Sequence, residues 1–346
     1  MVLAYVANRG AGDNTVSVID VKTHSVIATV QVGNQPNFVD FTPDGKLAYV
    51  TNEGDNIISV IDVKTHSVIT TIQVGSSPRN MAFTPDGKLA YAINQLGNSV
   101  LVIDVKTHNV IATVQVDFPF FVAFTPDGKH AYVRNDVGNI VSVIDTKTHL
   151  MISTIQVDDA NTLDTQNFRF TPNGKLAYVI NSTNDRPSTV SVIDVKTHSV
   201  IATISVGIQA HRIALSPDGK VAFVTNNMSG TVTVIDVKTH SVISTLNIGG
   251  NPSDVAITND GKLVYVNSEI VDTVTAIDTK THSVIATIQV GNIQFNSFLE
   301  FTPDNKLAYA GNQADGTVSV IDVKTHSVIA TVPVGTDPRA IAFTPN

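Results

Sequence analysis

The string Ile-Asp-Val-Lys-Thr-His, or Ile-Asp-Thr-Lys-Thr-His, occurs eight times in 346 residues. Its histidines are His24, His66, His108, His149, His198, His240, His282 and His326, spaced 42, 42, 41, 49, 42, 42 and 44 residues apart. A period of this size means that one supersecondary unit is repeated in a stack or a ring. A second string, close to Phe-Thr-Pro-Asp-Gly-Lys-Leu-Ala-Tyr-Val, precedes each of the last seven copies by about 20 residues, and its opening returns at Phe343–Pro345.

The unit can be read between residues 38 and 75. Phe38–Thr42 is a short apolar run. Pro43–Lys46 is a turn, with proline presetting φ and glycine accepting the tight bend. Leu47–Asn52, Ile57–Val63 and Ser67–Val74 are three more runs, separated by the loop Glu53–Asn56 and the turn Lys64–His66. All are rich in Val, Ile, Thr and Tyr and too short for helix. Four antiparallel strands per 43 residues or so make a propeller blade. The fold expected is all-β: an eight-bladed β-propeller of four-stranded antiparallel blades. The chain starts on a second strand, Leu3–Asn8, and ends on a first strand, Arg339–Phe343. Together they should complete blade 1, split between residues 1–33 and 338–346, and close the ring. Residues 1–346 are read as one domain; the N-terminus shows no charged-then-apolar signal pattern, and its start inside a structural unit leads us to expect that a leader was removed.

Tyr49–Asn52 spells YVTN, with FVTN at Phe223–Asn226 and YVAN at Tyr5–Asn8. The whole chain resembles the YVTN family of β-propeller repeat proteins, described as surface-layer or cell-envelope proteins. Histidine follows Val-Lys-Thr here where that family more often has Asn, and eight copies replace the more common seven. The resemblance implies a propeller at the cell envelope or secreted. Because related propellers include lactonases and a lyase, it also implies an enzymatic alternative.

Composition narrows the chemistry. There is no Cys, which excludes disulfides, thiolate metal sites, a Cys nucleophile and covalent haem. Net charge is −8, so neither nucleic acid nor an anionic membrane is an expected partner. No apolar run is long enough to span a membrane. No Trp, P-loop, GxGxxG, HExxH or GxSxG element is present, and no cofactor is expected. A monomer is expected.

The blade meander puts the first-to-second and third-to-fourth turns at one end, the bottom, and the remaining loops at the top. All fifteen Lys fall at the bottom against fourteen Asp, while the rest of the chain holds seven Arg against sixteen acids. The top is thus variable and acidic on balance, and it is where a protein or small-molecule partner would bind. Lining its mouth should be the starts of the innermost strands: Asn37, Arg79, Phe120, Gln166, His211, Ser253, Ser297 and Arg339, then Phe38, Asn80, Phe121, Asn167, Arg212, Asp254, Phe298 and Ala340. Deeper in, Asp40, Arg169 and Glu300 break a run of Ala. Ligand-binding candidates are Arg79, Phe120, Phe121, Arg169, His211, Arg212 and Arg339. His211 beside Arg212 would be the acid/base of an enzyme, with Arg79, Arg212 or Arg339 holding an anionic substrate. The alternative for these residues is a set of salt bridges sealing the channel. Phe118, Phe120, Phe121, Phe295 and Phe298 form a further aromatic group, either a binding surface or packing. Asp158, Asp159 and Asp164, in a blade-5 insertion, are weak Ca²⁺ candidates. The repeated histidines are expected to be turn residues with a local hydrogen bond, and His130 a packed or half-exposed strand residue.

Overall fold

The computed structural model describes residues 1–160, 168–294 and 297–345. It contains eight four-stranded antiparallel sheets arranged as a ring. Blade 2 is representative: Pro36–Phe41 is innermost, followed outward by Leu47–Asn52, Ile57–Asp62 and Ser67–Gln73. Blade 1 is assembled from both ends of the chain. Pro338–Phe343 pairs with Leu3–Asn8 as its innermost strand, so the C-terminal strand closes the ring as the sequence led us to expect.

Strands two and three of each blade are buried on both faces, which is why they lack polar–apolar alternation. The core is correspondingly divided. Eight apolar clusters lie one at each junction between neighbouring blades, rather than at a single centre. At most junctions the second-strand Tyr is the centre of the contact. Tyr49 packs edge-on against Phe83 of the next blade, centroids 5.1 Å apart, and meets Nδ1 of His108 at 2.8 Å. The same Tyr–His contact recurs at Tyr5–His66, Tyr91–His149, Tyr132–His198, Tyr178–His240 and Tyr265–His326. Six of the eight repeated histidines are therefore clasps between blades and not residues with a merely local hydrogen bond. Each sits in the left-handed backbone region, φ between 51° and 58°. That places its ring under the neighbouring blade's Tyr. His130 is half-buried, edge-on to His198.

Candidate functional site

The inner strands reach the mouth by a repeated device. A left-handed residue such as Gln35, Ser77, Phe118, Gln209, Asn251 or Asp337 turns the chain out of the preceding link. Top-loop Asn side chains hold the amides of these links: Asn56 accepts from Ser77 N at 3.0 Å and Asn98 from Phe118 N at 2.9 Å. A bulge follows, between Pro36 and Phe38 in blade 2 and at the matching places in blades 1, 3, 4, 6 and 7. The bulged residue is released from the pairing constraint that fixes the rest of the strand. This is why the chain is most varied at these positions.

These residues enclose a cavity of about 620 Å³ at the top of the channel. Its wall takes in Arg79, Phe120, Phe121, Arg169, Arg212 and Arg339 among the expected ligand-binding residues, together with Asn37, Phe38, Asn80, Asp254, Phe298, Glu300 and Ala340. Two wall residues, Arg9 and Glu53, escaped the reading of the inner strands alone. Each directly follows the buried Asn that ends a second strand, and the same register position holds Gln95, Asp136 and Glu269 in other blades. That diversity in an otherwise repeated loop was the signal available.

Five of the chain's seven arginines thus stand around the mouth, beside the acids Glu53, Asp254 and Glu300. At the rim the arginines are tied. Glu53 takes Arg9 at 2.9 Å and Arg79 at 3.6 Å, and Asp337 takes Arg339 at 2.9 Å. Arg79 also lies over the Phe120 ring at 5.7 Å, and Arg169 over Phe121 at 5.9 Å. Deeper, Arg169, Arg212, Asp254, Glu300 and Asp40 act on one another. Arg169 and Glu300 touch water in the shaft yet are surrounded by protein. Desolvation, reinforced by Asp254 and Asp40 and opposed by Arg169, pushes the Glu300 carboxyl up to about 7. Burial pushes Asp40 up to about 6. Asp254 is raised by the same cause, against the pull of Arg212. Its two oxygens accept from Val255 N at 2.9 Å and from Leu299 N of the next blade at 3.0 Å.

His211 does not join this wall. Its ring turns into the junction with blade 7, where Nδ1 donates to the Ser253 carbonyl at 3.1 Å. Burial, helped by the adjacent Arg212, depresses it to about 3. The bulge that sends Arg212 into the channel sends His211 the other way. The structure thus does not bring His211 together with the wall residues: the enclosed imidazole lies off the mouth. Asp158 and Asp159 are likewise engaged by protein. Asp158 accepts from Thr189 Oγ1 at 2.8 Å, and Asp159 takes Arg186 at 2.7 Å and Asn139 at 2.9 Å. Among the described residues no group of His, Asp and Glu is placed to hold a metal ion. Asp164, Gln166, Asn167 and Phe295 lie outside the described residues. The aromatic group divides: Phe118 is 42% exposed on its link, whereas Phe298 is buried over Gly311, whose missing side chain makes room for the ring.

Two family models match the chain, "Lactonase, 7-bladed beta-propeller" over residues 2–117 and "YNCE-like beta-propeller" over residues 174–249. Both are β-propeller families. No curated protein matches. Among solved structures, hydrazine synthase of Kuenenia stuttgartiensis is similar at 25% identity and a TM-score of 0.67, covering 83% of this chain and 95% of that one. The dihydro-heme d1 dehydrogenase NirN in complex with DHE is similar at 19% identity and a TM-score of 0.82, covering 98% of this chain and 74% of that one. The latter likeness is one of fold.

Proposed function

We propose that this β-propeller is a non-enzymatic binding protein of the cell envelope whose top mouth takes up a small ligand. The observation that carries this reading is the mouth itself. In a chain that repeats nearly every turn eight times, side-chain diversity is concentrated on one concave wall of about 620 Å³, within the size range of small-molecule sites. Envelope placement rests on the YVTN resemblance. Among the described residues no imidazole lines the mouth, which supports binding over catalysis.

A second reading, hydrolase or lyase chemistry, has one observation in its favour. Glu300 and Asp40 are carboxyls raised toward neutrality, as an acid/base pair requires. In that case Glu300, not His211, is the acid/base. The test is a ligand-observed NMR fragment screen on the protein and on Ala340→Trp, which fills the mouth. Fragments that bind the former and not the latter are expected. A screen in which no fragment distinguishes the two proteins overturns the reading.

A further inference from the structure

The mouth holds two kinds of arginine. Arg9 and Arg79 share Glu53 at the rim, and Arg339 is paired with Asp337. Arg169 and Arg212 come from the inner strands of adjacent blades and stand close enough that Arg212 disfavours the charge on Arg169. Among the described residues the Arg212 guanidinium has neither a hydrogen bond nor an ion pair, although it lines the cavity. Like charges held together in a narrow, protein-walled water column repel strongly unless a counter-charge enters. The facing acids offset this repulsion only in part, although Asp254 and Glu300 both favour the charge on Arg169. Asp254 is committed to two backbone amides, and Glu300 sits beside Asp254 and Asp40, which oppose its ionisation. Next to the arginine pair, Phe121 offers a ring face already in contact with Arg169, and Phe120 stands at its side.

We infer that the ligand is a small organic anion, a carboxylate or phosphate monoester on a planar apolar body, whose charge sits between Arg169 and Arg212 and whose body lies against Phe120 and Phe121. This deepens the binding reading and rests on it. Guanidinium forks match both anions with paired, charge-assisted hydrogen bonds. Aromatic faces supply apolar area at low entropic cost.

Binding also depends on protons. The charged groups facing the ligand are Arg169, Arg212, Asp254, Asp40 and Glu300 in the shaft and Arg9, Arg79, Arg339 and Glu53 at the rim. Between pH 8 and pH 6 Glu300 and Asp40 gain protons, so the wall becomes more positive and a carboxylate binds more tightly as pH falls.

The experiment uses 2-naphthoate, 2-naphthyl phosphate, neutral 2-naphthalenemethanol and inorganic phosphate, followed by naphthalene fluorescence anisotropy. The protein has no Trp to interfere. Both aryl anions are expected to bind, the alcohol at least about ten-fold more weakly, and the relative affinities of carboxylate and phosphate identify the anion source. Arg212→Gln should weaken naphthoate about ten-fold or more, the loss of one charge-assisted contact. Arg186→Gln, which removes an arginine paired with Asp159 away from the cavity, should not. Equal melting temperatures establish that Arg212→Gln is folded. If the alcohol binds as well as the anions and Arg212→Gln changes nothing, the anion inference falls while the mouth remains a ligand site. If inorganic phosphate displaces naphthoate on equal terms, the apolar body is wrong. If no probe binds and the fragment screen also fails, both readings fall together.

Discussion

At the residue scale, stability is decided at blade junctions, and two substitutions within the repeat show how. In the bottom turns, Gly87, Gly128, Gly174, Gly219 and Gly261 adopt φ near +67°, and the Cβ each lacks would stand 3.1 to 3.2 Å from a proline of the preceding blade. Blade 8 has Asn305 instead, also left-handed at φ 59°, and blade 7 has Asn259 where the proline should be. The two asparagines answer one another: Asn305 Oδ1 accepts from Asn259 N at 2.9 Å, and Asn259 Nδ2 donates to Pro303 O at 3.0 Å. One departure makes space for the other. Gly128→Ala, with Pro85 still in place, is expected to cost about 1–2 kcal/mol from the left-handed backbone alone, measurable by urea unfolding. Conversely, Phe223 occupies a clasp position with His282 at 6.4 Å between centroids but no hydroxyl. Phe223→Tyr should gain about 1 kcal/mol in the same measurement. The turn residues were legible as turns. Their role across junctions was not, because a partner some 60 residues away leaves no local pattern.

At the element scale, the closing strand is the most exposed dependency. Pro338–Phe343 covers the inner edge of Leu3–Asn8. Where the chain ends meet, Thr344 N donates to Leu3 O at 2.9 Å and Leu3 N to Thr344 Oγ1 at 3.0 Å, reproducing the Thr42–Leu47 pair of an unbroken turn. Phe343 still packs on Tyr309 at 5.2 Å. Yet the clasp is missing here: Tyr309 Oη and His24 Nδ1 are both buried without a partner. Deleting residues 339–346 is therefore expected to lower the melting temperature by well over the few degrees typical of a single point mutation. An unchanged melt would show that closure contributes nothing. Blade number and the split blade could be read from period and turns. The bulges at the inner-strand starts could not, since an extra residue in one strand is defined only by its partner's register. That missing register is what left His211 and Arg212 indistinguishable in sequence, although the fold sends them to opposite sides.

For the whole molecule, the shaft and the junctions set opposing responses to pH. Glu300, at about 7 when folded, holds a proton that the unfolded chain releases near its ordinary 4.5. Its contribution is fully present below about 4.5 and is lost as pH rises through 7. Asp40, at about 6, behaves alike. His211, at about 3, has the opposite sense: stability is present above its ordinary 6.5 and is lost as pH falls toward 3. Comparing Glu300→Gln with the parent isolates the first effect. The variant's relative stability should climb from pH 4.5 to 7 and level off above, and a flat difference would contradict the placement of Glu300. Strand register on the sequence already put Arg79, Arg169, Arg212 and Arg339 at the mouth, whereas Arg9, on a top loop, joins them only when the ring closes. The closed ring also means that the polypeptide is topologically a loop nicked at one of eight equivalent turns. Circular permutants, with the present ends joined and new ends cut at another Pro-Asp-Gly turn, would keep every junction of the ring. They would relocate the seam, and the unclasped Tyr309–His24 junction would no longer coincide with it.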